Sequence, residues 1–122
     1  MNCWLNPFLA WNLAGRVVSN QADITNPPPA NLWVFLDENP AGINDGYFVC
    51  DPSRNLWIDV PAAYHSGGSG ISFADGHAII RKWSDRVVLT PLYNGAMGVP
   101  PHQSPPTDLQ WLEARSTTLR PR

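Results

Sequence analysis

The sequence predicts an α+β domain that is mostly β: an antiparallel sheet with a central hairpin at about residues 69–83 and a short C-terminal helix. Thirteen prolines and nine glycines divide the 122 residues into short apolar runs, which favours strands and turns over long helices. The hydrophobic fraction of 43% is sufficient for a folded core, and the length is that of a single domain covering residues 1–122.

The first half of the chain contains the first predicted strands. Residues 1–31 form an irregular apolar lead-in that ends in a connector, because the "NPPPA" segment at residues 26–30 lacks backbone donors and restrains its neighbours. The sheet is expected within residues 32–93. The nearly all-apolar run "LWVFLDE" at residues 32–38 predicts a central strand covered on both faces. Residues 47–50 and 56–61 are predicted to be further extended segments.

The second half contains the hairpin signal. The runs "GISFA" and "HAIIRKW" are joined by Asp75-Gly76, a pair that favours a two-residue type I′ turn with positive φ at both central positions. Residues 86–93 predict another strand, and residues 94–106 a loop rich in proline and glycine. Residues 107–118 predict a helix that begins with a Thr or Asp cap.

Charge and hydropathy exclude two classes of partner. The formal net charge is −2 and the only lysine is Lys82, so the chain has no broad basic face for nucleic acid or anionic lipid. No apolar run approaches the ~20 residues that a transmembrane helix needs, and the N-terminus lacks the order of a secretory signal. We therefore expect neither a nucleic-acid partner nor a membrane segment in this chain.

The hairpin region resembles a known family. His65 is followed by nine residues and then Asp75-Gly76, within "PAAYHSGGSGISFADGHAIIRKW". This order resembles the C-terminal region of prepilin-type processing-associated proteins, which are pilin-like or pseudopilin-like bacterial proteins named for a His-X9-Asp-Gly motif. The likeness includes "VFLDENPAGINDGYF" and "DLQWLEARSTT" and thus covers roughly the last 90 residues.

The resemblance implies a structural function. Heads of this kind are displayed outside the cytoplasm on a pilus or a secretion pseudopilus, and their partners are other pilin-like subunits or further copies of themselves. No catalysis is implied. Family members usually begin with a basic leader, a peptidase cleavage site and a long hydrophobic stem helix. The sequence lacks these features, so we expect a pilin-like head without its N-terminal stem helix.

The motif residues could instead form a chemical site. The motif set is His65, Asp75, Gly76 and His77. Two imidazoles and a carboxylate could hold a metal, and paired acids could act in a hydrolase such as a glycoside hydrolase. In that case the catalytic candidates are His65, Asp75, Asp37 and Glu38. The favoured interpretation is structural, in which Asp75 and Gly76 make the turn while His65 fixes the preceding loop.

A calcium site and a disulfide are further candidates. Four residues around one turn carry oxygen ligands suited to calcium: Asp37, Glu38, Asn44 and Asp45. Related secretion pseudopilins often carry a calcium-bound loop, although acids beside turns are more often simply solvated. Cys3 and Cys50 are either a disulfide pair or two buried free thiols.

Six tryptophans suggest a carbohydrate-binding module as a second alternative function. We expect Trp33 and Trp57 in the core and Trp83 packed with Trp111, because the first pair lies in apolar strands and the second on the hairpin end and the last helix. Only Trp4 and Trp11 are then free to contact a ligand or to form an apolar patch that favours self-association.

Overall fold

The fold was analysed in a computed structural model of the chain, which describes residues 1–5, 14–90 and 98–121. Its centre is a three-stranded antiparallel sheet in the order β1-β2-β3. The strands are β1 (Trp33–Leu36), β2 (Gly68–Phe73) and β3 (Ala78–Lys82). Two helices follow, α1 (Arg86–Leu89) and α2 (Thr107–Glu113), and short 3-10 turns occur at Cys3–Leu5 and Gln21–Asp23. A small, mostly β α+β fold is confirmed.

The predicted hairpin is present but its turn is different. Strands β2 and β3 are paired along their length. Ser72 pairs with Ala78 next to the turn, and Gly68 pairs with Lys82 at the opposite end. Gly76 N donates to Phe73 O at 3.0 Å, and Phe73 N donates to the carbonyl of His77 at 2.9 Å, so the loop has three residues, 74–76. Only Gly76 in that loop has a positive φ, of 94°. The type I′ prediction is therefore wrong, because a three-residue loop needs one left-handed position and glycine supplies it.

Strand β1 is an edge strand and not the predicted central one. The centre of the sheet is β2, and Phe35 of β1 is 58% exposed. The outer edge of β1 is occupied by irregular chain, since Asn2 N donates to Val34 O at 2.8 Å and Trp33 N donates to Arg115 O at 3.2 Å. The apolar run indicated burial on both faces, but one of its large side chains faces away from the core.

The extended segments at residues 47–50 and 56–61 do not form strands. They make only isolated bridges, Phe48 with Asn2, Trp57 with Val99 and Pro61 with Glu38. The physical reason is visible between the two segments, where the Asp59 carboxylate accepts the Val49 N–H at 2.6 Å. The Asp59 side chain therefore bonds a backbone N–H that would otherwise bond to a neighbouring strand. The sheet is smaller than the predicted span of residues 32–93.

The strand predicted at residues 86–93 is wrong over its described part, which forms α1. The Asp85 carboxylate accepts the Val87 N–H at 3.0 Å and so caps the helix. This cap, together with bonds from Val88 N and Leu89 N to Asp85 O, outweighs the strand preference of the valines. Residues 91–93 lie outside the described residues. So does the start of the loop predicted at residues 94–106, whose remainder is irregular.

Helix α2 is confirmed but ends earlier than the predicted residue 118. Residue Pro106 occupies the N-cap position and makes no side-chain cap bond, so the predicted Thr or Asp cap is wrong. The Asp108 carboxylate instead accepts N–H groups of Ser84 at 2.6 Å and Asp85 at 2.8 Å. The first turn of α2 therefore holds the segment that precedes α1. In the described part of the chain, no helix is long and apolar enough to cross a membrane.

The core is built around tryptophans with satisfied indole donors. Trp33 donates to Ser116 Oγ at 2.8 Å and Trp57 donates to Asp85 at 2.9 Å. Trp83 packs edge-on against Trp57, at 6.2 Å between ring centroids, and against Trp111 at 6.3 Å, as predicted for the last pair. Such pairs add stability beyond their buried area.

The lead-in is part of the core from its first residues. Trp4 is fully buried, and its indole donates to the carbonyl of Cys50 at 2.8 Å. The prediction that Trp4 is free on the surface is therefore wrong, and Trp11 lies outside the described residues. Asn2 is also fully buried, and its amide joins β1 to the chain that follows α2 by bonds to the carbonyls of Trp33 and Ser116.

Candidate functional site

The loop that carries His65 is tightly bound to the start of the hairpin. Ser66 and Gly67 adopt positive φ values of 51° and 85°. His65 N donates to Gly68 O at 3.1 Å, and the Lys82 ammonium donates to the carbonyls of His65 and Ser66. The glycine-rich run therefore reverses the chain and delivers it into β2.

The imidazole of His65 faces an acid from the end of β1. Its Nε2 lies 3.7 Å from Asp37 Oδ2, and both side chains are about half exposed. The same Asp37 oxygen accepts the Gly70 N–H at 3.0 Å. A side chain at Gly70 would crowd this contact, because its Cβ would lie 3.1 Å from Asp37 Oδ2. The pair connects the His65 loop, β1 and β2.

The Asp75 carboxylate closes the hairpin turn. It accepts the backbone N–H of His77 at 3.1 Å, and its Oδ1 lies 2.5 Å from His77 Nδ1. This side-chain bond from His77 holds the pKa of Asp75 below its usual range. The His77 ring stacks flat on Phe73 at 4.4 Å between centroids. These contacts belong to the turn and to its local packing.

The candidate catalytic residues do not converge. His65 and Asp75 lie before and after the six-residue strand β2, which is roughly 20 Å long at the usual rise per residue. His65 pairs with Asp37, and Asp75 pairs with His77. Glu38 follows Asp37, yet the charges that act on Glu38 come from Asp59, Asp45 and, with the opposite effect, the N-terminal ammonium. The four catalytic candidates His65, Asp75, Asp37 and Glu38 thus lie at three separate places in the fold.

Glu38 belongs to a partly buried acid cluster with Asp59 and Asp45, whereas the sequence analysis grouped Glu38 and Asp45 with Asp37 and Asn44 as calcium ligands. Among the described residues its Oε1 is buried without a hydrogen-bond partner. Burial, and secondly the charge of Asp59, raise the pKa of Glu38 to about 7. Burial likewise raises the pKa of Asp59 to about 6, against the bond from Val49 N. Proximity of Asp59 to Glu38 could not be read from the sequence, because the two are joined only by folding.

The predicted calcium ligands are divided between two sides of the chain. Asp37 faces Gly70, whereas Glu38 faces Asp59. Asn44 and Asp45 are exposed, and Asp45 accepts the Tyr47 N–H at 2.7 Å. Within residues 1–5, 14–90 and 98–121, no group of three or more His, Cys, Asp or Glu side chains is placed to hold a metal ion.

The raised pKa of Glu38 leads to a pH-dependent stability. Between the unfolded pKa of 4.5 and the folded value of about 7, the folded state holds a proton that the unfolded state has lost. Stability is therefore lost as the pH rises through this window. We expect Glu38→Gln to increase the free energy of unfolding by about 1 kcal/mol at pH 8, after allowance for solvent screening.

The measurement is urea unfolding of both proteins across that pH range. At pH 4 the two proteins should nearly agree, because Glu38 is then mostly protonated in both states. A wild-type protein whose stability rises with pH through this window, with no gain from Glu38→Gln, would contradict the burial of this carboxyl.

Cys3 and Cys50 are buried free thiols in the structure, so the second of the two alternatives is the observed one. Burial raises the pKa of Cys3 to about 12 and that of Cys50 well above its usual value. Because the thiolate is the reactive form, both side chains act as small apolar groups.

One face of the sheet is uncovered among the described residues. This outer face carries two large apolar side chains, Phe35 on β1 and Ile80 on β3, and three small residues, Gly70 and Ser72 on β2 and Ala78 on β3. Phe35 and Ile80 are 58% and 52% exposed. A shallow open groove of about 580 Å³ runs along it, with Asp37 among its lining residues. An exposed apolar patch thus lies here, whereas Trp4 is buried.

Comparisons with protein-family models, with curated proteins and with solved structures find no match to this chain.

Proposed function

We propose that this chain is a structural and assembly head domain of the pilin-like or pseudopilin-like kind, displayed outside the cytoplasm, and that its outer face contacts another subunit. The observation that supports this is the half-exposed pair Phe35 and Ile80 on one side of a thin sheet. Covering such side chains is favourable by roughly 25 cal/mol for each Å² removed from water. The small residues between them let a helix or a second sheet approach closely.

The contacts of the motif residues support the same proposal. His65 and Asp37 connect a loop to β1, and Asp75 with His77 closes the hairpin. A motif of His, nine residues and Asp-Gly then specifies a backbone shape: a loop, a strand and a turn. Such a role explains the spacing without any reaction.

The two alternative functions have weaker support. A hydrolase that uses His65 would have to pair it with the exposed Asp37, because Asp75 lies at the other end of β2. A carbohydrate-binding module requires exposed indole faces for stacking. Trp4 is buried, and Trp111 already has the guanidinium of Arg81 at 4.5 Å and that of Arg115 at 4.3 Å from its ring centroid.

The proposal is tested by photo-crosslinking in cells that produce the protein. A benzophenone amino acid replaces Phe35 on the outer face, and in a control variant it replaces Asn55, which is exposed in a turn. We expect the Phe35 variant to capture a pilin-like subunit, identified by mass spectrometry, at several times the yield of the control. Equal yields from both positions, or capture of soluble enzymes only, would contradict an assembly function.

A further inference from the structure

We propose that the free edge of β3 pairs with β3 of a second copy of this chain, antiparallel and about a twofold axis. The pairing joins two three-stranded sheets into one sheet of six strands. The inference rests on the assembly function proposed above, for which it names a partner and a contact.

The hydrogen-bond pattern of the hairpin determines which groups face that edge. Its ladder begins with a bond from Phe73 N to His77 O and closes with one from Trp83 N to Gly67 O, each of 2.9 Å. In an antiparallel pair, residues that bond to the partner alternate with residues whose N–H and C=O point away. Odd-numbered residues of β3 therefore bond to β2. The residues whose backbone groups point outward are Ala78, Ile80 and Lys82.

The two edges of the sheet are treated differently. At the β1 edge, Val34 O accepts a bond from Asn2 N, and Trp33 N donates to Arg115 O. In the described ranges, no backbone bond covers the outward groups of Ala78, Ile80 and Lys82. Among the described residues, the sheet thus has one edge bonded by its own chain and one edge whose outward donors and acceptors have no backbone partner.

Some of the usual protections of an edge strand are missing from β3, although Arg81 is a charged residue that points inward to Asp108. Natural edges carry prolines, bulges or lysines that project outward and repel a second strand. The segment Ala78–Lys82 contains no proline, and its register with β2 is regular. Lys82 is the only lysine of the chain, and its ammonium is held back on the carbonyls of His65 and Ser66.

A second copy fits this edge because the edge is self-complementary. About a twofold axis at Ile80, each Ile80 lies opposite Ile80 of the second copy, and each Ala78 lies opposite Lys82 of the second copy. The outward donors and acceptors then meet in pairs, as an isologous contact requires. The two outer faces then share one side of the joined sheet with the two Ile80 side chains next to each other, and a formal net charge of −2 per chain gives little repulsion.

The test is sedimentation velocity of the purified chain over a wide concentration range, with Ile80→Pro and Ile80→Val. Proline is tolerated on an edge strand where the lost N–H faces solvent, so Ile80→Pro removes one outward donor and no bond to β2. We expect wild type and Ile80→Val to dimerise alike, and Ile80→Pro to raise the dissociation constant by about tenfold or more. A wild-type monomer at every concentration would overturn the pairing.

A second variant keeps the test independent of folding effects. Two Ile80→Cys chains would bring their Cα atoms to about 5.5 Å, which permits a disulfide under mild oxidation. We expect a covalent dimer from Ile80→Cys and none from the exposed control Asn55→Cys; equal yields would overturn the inference. Capture of a pilin-like subunit through Phe35 in cells, with no edge pairing in the purified chain, would remove this inference and leave the assembly function.

Discussion

Asp85→Asn is expected to lower the free energy of unfolding by about 3 kcal/mol, because hydrogen bonds to a charged acceptor contribute about 1.5–3 kcal/mol each. Asp85 is fully buried. Its Oδ2 accepts the Trp57 indole N–H at 2.9 Å, and its Oδ1 accepts the N–H groups of Val87 and His102, each at 3.0 Å. Asparagine has one acceptor oxygen, so its amide must turn an NH₂ group toward at least one of these donors.

The chain supplies a matched control for this substitution. Asp45 makes the same local bond to the N–H two residues later, Tyr47 N at 2.7 Å, but it is exposed. Asp45→Asn should therefore cost less than about 1 kcal/mol. Urea unfolding followed by tryptophan fluorescence measures both variants. Similar losses in the two would mean that the buried bonds to Trp57 and His102 contribute nothing, and would sink the account of Asp85 as the junction of three segments.

Asp85 also shows which features of the fold cannot be predicted from the sequence. Charged residues are mostly exposed, so an acid between an apolar run and a turn indicates a solvated position. Two of its partners lie 28 and 17 residues away along the chain, at Trp57 and His102. Without those distant contacts, the valines after Asp85 favour a strand, and the observed helix α1 could not be predicted.

Local signals, in contrast, predicted the elements that depend on local chemistry. The hairpin follows from Asp-Gly between apolar runs, and α2 follows from the apolar spacing after a proline-rich loop. Even there the turn type was wrong, since Gly76 alone takes the left-handed conformation. The same holds for the outer face: the apolar run that contains Phe35 indicated a buried strand, and nothing local revealed that one face stays uncovered.

For the candidate site, residue types were predictable and their partners were not. The sequence indicated His65, Asp75, Gly76 and His77 as a motif set, and His65, Asp75, Asp37 and Glu38 as catalytic candidates. Folding pairs His65 with Asp37 and Asp75 with His77, because β2 runs its full length between the loop and the turn. An extended strand separates its residues by roughly 3.3 Å per position, so residues that are close in the sequence can lie far apart in the fold. A motif that spans a strand therefore marks its two ends.

Gly68→Ala is the second large effect, and we expect it to lower the free energy of unfolding by about 2–3 kcal/mol through overpacking. A Cβ at this position would lie 2.7 Å from the carbonyl oxygen of Arg81, and 3.1 Å and 3.2 Å from side-chain atoms of Ile80 and Lys82. The first of these is a backbone atom of β3, so it cannot move aside by a rotamer change. Relief requires β3 to separate from β2 where Gly68 pairs with Lys82.

Gly46→Ala is the control, because no atom lies within 4 Å of its added Cβ and its φ is not positive. It should change stability by no more than about 0.5 kcal/mol. Urea unfolding gives the loss, and hydrogen exchange should show faster exchange for the β3 amides that bond to β2 in Gly68→Ala only. If both substitutions were equally mild, the glycine run would not be needed to bring β2 against β3. The nine residues between His65 and Asp75 would then require another explanation than backbone shape.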